Sequence, residues 1–288
     1  MNARDLPISV LIPAYNEEGA LASTVAAIES QRAHFNNMEI VVINDGSDDQ
    51  TGPIARTLPV TLIEHERNRG YGAALKSGLQ RARYDYIVIA DADGTYPLEE
   101  LSNLAAEASA YDMVVGARTG DVVHIPTLRK PGKWIITRLA EYLSGQRIPD
   151  LNSGFRIFRK DVALRFLSLY PDGFSFTTTI TLAMLTNFHR VKFVPINYHK
   201  RVGKSSIHPI RDFTNFTILI IRICASFKPL NVFVPPALFF IVLGLIKGFI
   251  DYHGQGHLGL LAIAVALTGV QMLFIGLLAD LIDRRMRL

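Results

Sequence analysis

The chain has one cysteine, Cys224, and one tryptophan, Trp134, in 288 residues. A lone cysteine excludes an intrachain disulfide and a multi-cysteine zinc site. The eight histidines show no H-x-x-x-H or similar spacing, so none is assigned to a metal. The opening stretch MNARDLPISV has no long apolar segment. No signal peptide is therefore expected, and the first domain is expected on the cytosolic side. No basic stripe with interleaved aromatics occurs, which argues against nucleic acid as a partner. The charge balance is mildly basic, +4 with a pI of about 9.2. That suits an anionic partner, such as a phosphorylated substrate or an anionic lipid surface.

Apolar residues are plentiful, at 49%, but unevenly spread. Residues 1–212 read as an α/β domain. The runs ISVLIPAY, EIVVIND, VTLIEH, YIVIAD and MVVGAR alternate with helical patterns over 17–31, 49–56, 71–83 and 97–109. Continuous apolar strands alternating with helices predict a mostly parallel sheet covered on both faces. Ligands of such sheets bind beyond the carboxyl ends of the strands. Two of those ends are acidic: VVINDGSDDQT, and YIVIADADG with Asp91 and Asp93.

The last part differs. Val232–Ile250 is 19 residues with one charge, Lys247, and Leu258–Ala279 is 22 residues with none. About 20 apolar residues span a bilayer as a helix, so 231–288 reads as a membrane anchor of two transmembrane helices, about 232–250 and 258–279. The connector DYHGQGH lacks Lys and Arg, whereas Arg222, Lys228, Arg284, Arg285 and Arg287 flank the spans. The positive-inside rule then places both termini and the first domain on the cytosolic side.

Two stretches have an interfacial pattern. In 213–230, Phe213, Phe216, Ile220, Ile223 and Phe227 recur at helical spacing, which predicts an amphipathic juxtamembrane helix lying in the headgroup plane. In 133–143, Ile135, Ile136, Leu139, Tyr142 and Leu143 form one face beside Trp134, Lys133 and Arg138. That face fits a membrane surface and ordinary packing onto the sheet equally well.

Asp91 and Asp93 stand at i, i+2 after a strand, with Gly94 making the turn. Such a pair can place oxygens on one hard cation, Mg²⁺ or Mn²⁺, that takes its other ligands from substrate phosphates. A D-x-D alone is a weak signal, since acidic residues are common in turns. Here it sits in an ordered set: LIPAYNEE, VVINDGSDDQT, HERNRGYGAALKSGL, D-A-D, DLNSGFRIF and YHKRVGKSSI. This set resembles the family 2 glycosyltransferases of GT-A fold. Within them it is similar to the polyprenyl-phosphate hexose synthases, the dolichyl-phosphate mannose synthase and bactoprenol glucosyltransferase group. The resemblance covers essentially the whole chain, membrane pair included.

The resemblance implies roles. Pro13, Ala14, Tyr15 and Glu17 would line the base and ribose pocket. Asp45 matches the second acid of the family's D-D-G-S and would bond the base. The first acid is replaced by Asn44, which removes a charge and leaves the donor nucleotide open. Asp91, Ala92 and Asp93 match the D-x-D, with Asp93 as the direct metal ligand and Asp91 touching nucleotide or metal. Asp150, Ser153, Gly154 and Phe155 match D-x-x-S-G-F near sugar and acceptor. Arg118, Arg129, Lys133, Arg201 and Lys204 lie where the family gathers charge for phosphates, and Arg118 joins Asp91 and Asp93 as a catalytic candidate. The implied reaction is inverting and metal-dependent, moving a hexose-type sugar from a nucleoside-diphosphate sugar to a polyprenyl phosphate. Two helices are too few to move the product across a bilayer, so a separate flippase is expected, and a homo-oligomer is compatible with the free helix faces.

Other features have plainer readings. Gly70-Tyr71-Gly72 fits a phosphate site at a helix N-terminus or a simple loop-to-helix turn. Lys76 reads as a solvated helix residue or one that reaches the base. Arg156 and Arg159 in FRIFRK read as a strand with one wet face. A processive polysaccharide synthase would resemble this chain at D-x-D, yet the T-E-D acid and the Q-x-x-R-W segment of those enzymes are absent. A non-catalytic nucleotide-binding membrane subunit is the other alternative, and the intact D-x-D argues against it.

Overall fold

The computed structural model describes residues 3–120, 130–173, 175–199 and 209–286. Seven strands form one sheet: β1 (Ile8–Ala14), β2 (Met38–Asn44), β3 (Thr61–Glu64), β4 (Tyr86–Ile89), β5 (Met113–Ala117), β6 (Arg156–Arg159) and β7 (Val191–Pro195), in the order β3-β2-β1-β4-β6-β5-β7. Neighbours pair in parallel except at β6, which runs antiparallel to both β4 and β5. The sheet is thus mostly parallel, as the alternating runs predict.

All seven positions of β1 are buried, because both faces of the sheet are covered. On one face Val10, Ile12, Val42 and Val88 pack with Leu21, Val25 and Ile28 of α1 (Leu21–Glu29) and Leu101 and Leu104 of α4 (Leu101–Ala108). On the other, Leu11, Val41, Ile43 and Ile87 pack with Ala74, Leu75 and Leu79 of α3 (Tyr71–Arg81) and Phe176, Ile180 and Met184 of α7 (Phe176–Thr186). Each such aliphatic side chain contributes about 1.5–3 kcal/mol on burial. The short helices α2 (Thr51–Thr57) and α6 (Lys160–Arg165) complete the domain.

α5 (Lys130–Ser144) and α8 (Pro209–Phe227) pack on α7 through a third cluster that includes Ile136, Ala140, Leu143, Leu182, Leu185, Ile220, Ile223 and Cys224. A helix stands where 213–230 predicts one, and part of its apolar face is covered by protein, while the side chains of Phe213 and Phe216 lie outside the described residues. Of its apolar face, Ile220 and Ile223 are buried against the domain and Phe227 packs beside them. A period of 3.6 marks an apolar face without saying whether lipid or protein covers it. The face of α5 is split: Ile136 and Leu143 point inward, while Trp134, Ile135 and Tyr142 are exposed.

Two longer helices follow, α9 (Pro229–Gln255) and α10 (Leu260–Met286). Pro229–Gly254 and Leu260–Ile282 are long and apolar enough to cross a membrane, and most of their surface is exposed. The two pack closely along small residues. A Cβ on Gly244 would come 2.5 Å from the backbone of Ala266, and one on Gly269 would come 2.6 Å from the Ala237 carbonyl. Such seams let backbones approach where lipid offers no hydrophobic drive to pair.

Gly72, in the first turn of α3, shows how tightly the domain is closed. A Cβ there would sit 2.1 Å from the Pro171 carbonyl oxygen and 2.8 Å from that of Gly173. Gly72→Ala is expected to lower stability by about 1–3 kcal/mol. Thermal melting of the purified protein checks this, and an unchanged midpoint would mean that the 171–173 loop yields freely.

Candidate functional site

The parallel strands β1, β2, β4, β5 and β7 all end at one rim of the sheet. β6 runs the other way, so its start lies at that same rim. The reversal brings the segment Asp150–Phe155, which leads into β6, beside the D-x-D that follows β4.

At the β1 and β2 ends, two loops are zipped together. Asn16 N–H donates to Ser47 Oγ at 3.0 Å, Glu17 N–H to Thr51 Oγ1 at 2.8 Å, and Asp48 N–H to Asn16 Oδ1 at 2.9 Å. Asn16 adopts a left-handed φ of 55°, which asparagine tolerates better than most residues. Asp49 accepts from Glu18 and Thr51 N–H groups. Burial alone would raise the Asp49 carboxyl, but those bonds hold it below its ordinary value. Pro13 and Ala14 are buried in β1, whereas Tyr15 is exposed at the rim.

Asp45 is buried and turned toward the protein. Its Oδ1 lies 2.6 Å from His65 Nδ1 and accepts the Arg69 N–H at 3.0 Å, and its Oδ2 accepts the Gly70 N–H at 2.8 Å. His65 Nε2 in turn meets Ser77 Oγ at 2.9 Å. The acid expected at the base thus holds the loop that enters α3. Asn44 accepts the Ser47 N–H at 3.2 Å. The N-terminus of α3 is likewise engaged within the fold, where Ala73 N–H donates to the Asp172 carbonyl at 3.0 Å. The Gly70 and Ala73 N–H groups around Gly70-Tyr71-Gly72 are thus spent within the fold, as in a loop-to-helix turn. Lys76 is partly exposed and pins that same loop through the Tyr170 carbonyl (3.2 Å) and Asp172 (2.5 Å).

The D-x-D turns at Gly94, whose φ is 69°. Asp91 accepts a 2.8 Å hydrogen bond from the Tyr71 hydroxyl. Burial, and then the Asp91 charge, hold the Tyr71 phenol well above its ordinary value, so it stays a donor. Asp93 is buried, and its Oδ1 accepts from the Thr95 hydroxyl at 2.6 Å and the Thr95 N–H at 3.2 Å. Ala92 is buried between them and its carbonyl accepts from Thr24 Oγ1. Gly154 lies so near that a Cβ would stand 2.6 Å from Asp91 Oδ2. Its bare backbone leaves that carboxylate uncrowded. Among the described residues no three His, Cys, Asp or Glu side chains could hold a metal by themselves. Two carboxylates suit a hard cation that completes its shell with substrate phosphates, so the donor set fits Mg²⁺ or Mn²⁺.

Across from the D-x-D, Arg118 clasps Asp150. The Arg118 Nε and Nη2 donate at 2.7 and 2.9 Å, and its backbone N–H donates at 3.0 Å. The guanidinium also covers the Tyr198 ring at 5.1 Å. Burial opposes its charge, but Tyr96, Asp150 and Tyr198 outweigh that and raise Arg118 above its ordinary value. Tyr96 Oη accepts the Gly154 N–H at 2.7 Å, and its ring lies against Phe155 and Tyr198. Ser153, expected at the acceptor, is instead buried and donates to the Gly116 carbonyl at 2.5 Å.

Arg156 overturns the wet-face reading of β6. It is fully buried, on the opposite face from the exposed Arg159, because residues three apart on a strand point to opposite sides. Its guanidinium donates to the Ser153 and Thr177 carbonyls and to Thr181 Oγ1. Burial pushes its pKa down to about 10, so it stays charged at neutral pH, a cation beneath the site with no carboxylate among these partners. Sequence reasoning also passed over Tyr71, Tyr96 and Tyr198, whose placement depends on contacts across the sheet. Arg129, Arg201 and Lys204 lie outside the described residues. The Lys133 side chain does too, though its backbone belongs to α5.

Residues 9–166 match the family described as glycosyl transferase family 2, and residues 228–284 match the GtrB C-terminal hairpin. The dolichyl-phosphate hexose transferase of Haloferax volcanii is 32% identical over 219 residues, 75% of this chain and 93% of that protein. The polyprenol monophosphomannose synthase of Mycolicibacterium smegmatis is 31% identical over 222 residues, 70% of this chain and 82% of that one. Among solved structures, glucosyl-3-phosphoglycerate synthase of Mycobacterium tuberculosis, in complex with Mn²⁺, uridine diphosphate and phosphoglyceric acid, superposes with a TM-score of 0.59 at 17% identity, covering 76% of this chain and 78% of that chain. That likeness gives the GT-A fold.

The Asp45 network makes a prediction that needs no ligand. Asp45→Ala would orphan the Arg69 and Gly70 N–H groups and the His65 ring, a loss of about 3 kcal/mol or more for a buried charged acceptor. The ligand-free variant is expected to melt well below the parent. An unchanged midpoint would assign Asp45 to ligand alone.

Proposed function

The chain belongs to glycosyl transferase family 2, and from that premise we propose that it moves a hexose-type sugar from a nucleoside-diphosphate sugar to a polyprenyl phosphate at the cytosolic leaflet. The observation that carries this reading is one rim holding both a D-x-D and a basic clasp, on a chain that ends in two helices able to cross a membrane. The named activities of the Haloferax and Mycolicibacterium relatives, with a dolichyl-phosphate hexose and a polyprenol monophosphomannose, support it.

Asp91 and Asp93 face the donor diphosphate. Asp93 would hold the metal directly, its carboxylate oriented by the Thr95 bonds. When bound there with the diphosphate, a divalent cation offsets the negative charge that develops on the leaving group; the Mn²⁺ of the mycobacterial synthase supports this cofactor. Tyr15 and Glu17 line the nucleotide side with Pro13 and Ala14. Arg118, held in place by Asp150, presents positive charge toward the acceptor, with Arg129, Lys133, Arg201 and Lys204 as further phosphate contacts. A lipid phosphate is already anionic at neutral pH, so the acceptor needs alignment more than deprotonation. Attack from the face opposite the leaving group inverts the anomeric carbon. The product faces the cytosol, and a separate flippase would carry it across.

The test is a donor screen. Purified protein in detergent receives undecaprenyl phosphate, Mg²⁺ or Mn²⁺, and radiolabelled UDP- and GDP-sugars. One donor is expected to label extractable lipid. Asp93→Ala or EDTA is expected to reduce that label at least about a hundredfold, the scale of losing a key electrostatic group. Nucleotide binding without lipid labelling from any donor would remove the lipid-phosphate assignment.

A further inference from the structure

The turn after α7 holds a bulky ring where the backbone disfavours one. Phe188 N–H donates to the Leu185 carbonyl at 3.3 Å, and His189 N–H to the Met184 carbonyl at 3.0 Å. With Phe188 at a φ of 62°, these paired bonds form a Schellman cap, whose left-handed residue is usually glycine, sometimes asparagine. An L-residue in that conformation costs about 1–2 kcal/mol. Packing within the chain does not repay it, because Phe188 is 76% exposed, more than any other aromatic among the described residues. Even Phe249 and Phe239 in α9 are less exposed, at 67% and 63%.

The ring has a charged neighbour in Lys228. Lys228 Nζ lies 5.5 Å from its centroid and donates to the Ser144 carbonyl at 2.6 Å, at the C-terminal end of α5. An exposed cation–π contact is worth about 0.5–1 kcal/mol, less than the backbone strain. Lys228 immediately precedes α9, whose apolar stretch of 26 residues extends about 39 Å at 1.5 Å per residue. The hydrocarbon core is about 30 Å thick, so the first turn of α9 sits at headgroup level, and Phe188 stands beside it. Transfer of a phenyl ring out of water is favourable and of the same order as the strain, so contact with lipid can offset it.

We propose that Phe188 is a membrane-docking residue whose ring enters the boundary between headgroups and acyl chains in the leaflet where α9 begins. Its occupant is bulk phospholipid. The proposal rests on the reading that α9 and α10 cross a bilayer. Phe188 then adds a fixed point of contact beyond the anchor, on the domain itself, and limits how far the domain can tilt about the α8–α9 junction.

The sole native tryptophan makes the test direct. In the full chain, Trp134→Phe removes the native indole and Phe188→Trp supplies a probe. The protein is reconstituted into phosphatidylcholine–phosphatidylglycerol vesicles brominated either near the glycerol end or near the methyl end of the acyl chains. Flotation after a carbonate wash first reports integration. Expected are integration, a blue-shifted emission, and stronger quenching by the shallow bromines. Integrated protein with unquenched, water-like emission would overturn docking and leave the spanning helices intact. Protein that does not integrate would overturn the spanning reading, and docking with it. Independently, Phe188→Gly in the native chain is expected to melt no lower than the parent in detergent. A clearly lower midpoint would show that the ring works within the fold, and would overturn the proposal.

Discussion

Arg118 and Asp150 form the contact on which the rest of the rim depends. Asp150 has no exposure of its own, and it accepts from the Arg118 side chain and backbone alike. A buried pair seldom adds much net stability over apolar packing, whereas removing one partner strands a charge and is strongly destabilising. Its value here is geometric. It ties the end of β5 to the segment that enters β6 and sets a guanidinium in one orientation.

The carboxylates of the rim divide their work. Asp45 and Asp49 fasten loops, each accepting backbone N–H groups. Asp91 and Asp93 are held by a phenol and a threonine beside a bare Gly154. Similar acidic clusters at two strand ends thus do different things, and the difference lies in which donors surround each. Beneath them Arg156 supplies a buried positive charge to a region rich in carboxylates, while bonding the backbone of the same segment that contains Asp150 and Ser153.

Much of the fold was legible because its first half is regular. From β1 to β5, apolar strands and helices alternate, and the strand boundaries fall close to the apolar runs. Past Ala117 the signals fade. α7 reads FTTTITLAMLT, whose β-branched residues favour strand over helix, yet it is helical and buried along its whole length. β6 is four residues long, with arginine at each end, so its direction and Arg156's burial depend on partners far along the chain. The D-x-D was legible as local chemistry. Asp45 was legible as an acid in the right place, but its inward turn depends on His65 and on the backbone of Arg69 and Gly70. The α8 periodicity was real, and at Ile220, Ile223 and Phe227 the surface that covers it is protein. Phe188 leaves no pattern at all, since a left-handed φ on an aromatic is visible only in three dimensions.

The strand order has a consequence for how the chain is made. β1 to β4 can pair with one another as they leave the ribosome, in the order of their synthesis. β5 cannot, because both of its neighbours, β6 and β7, come later in the chain. Domains fold from the N-terminal side during synthesis, so this one emerges as a settled half and a waiting half. After β7 comes α8, and then the two long apolar helices α9 and α10. Closure of the sheet therefore waits until β6 and β7 have been made, shortly before those helices emerge, and β5 stays an open, aggregation-prone edge until then.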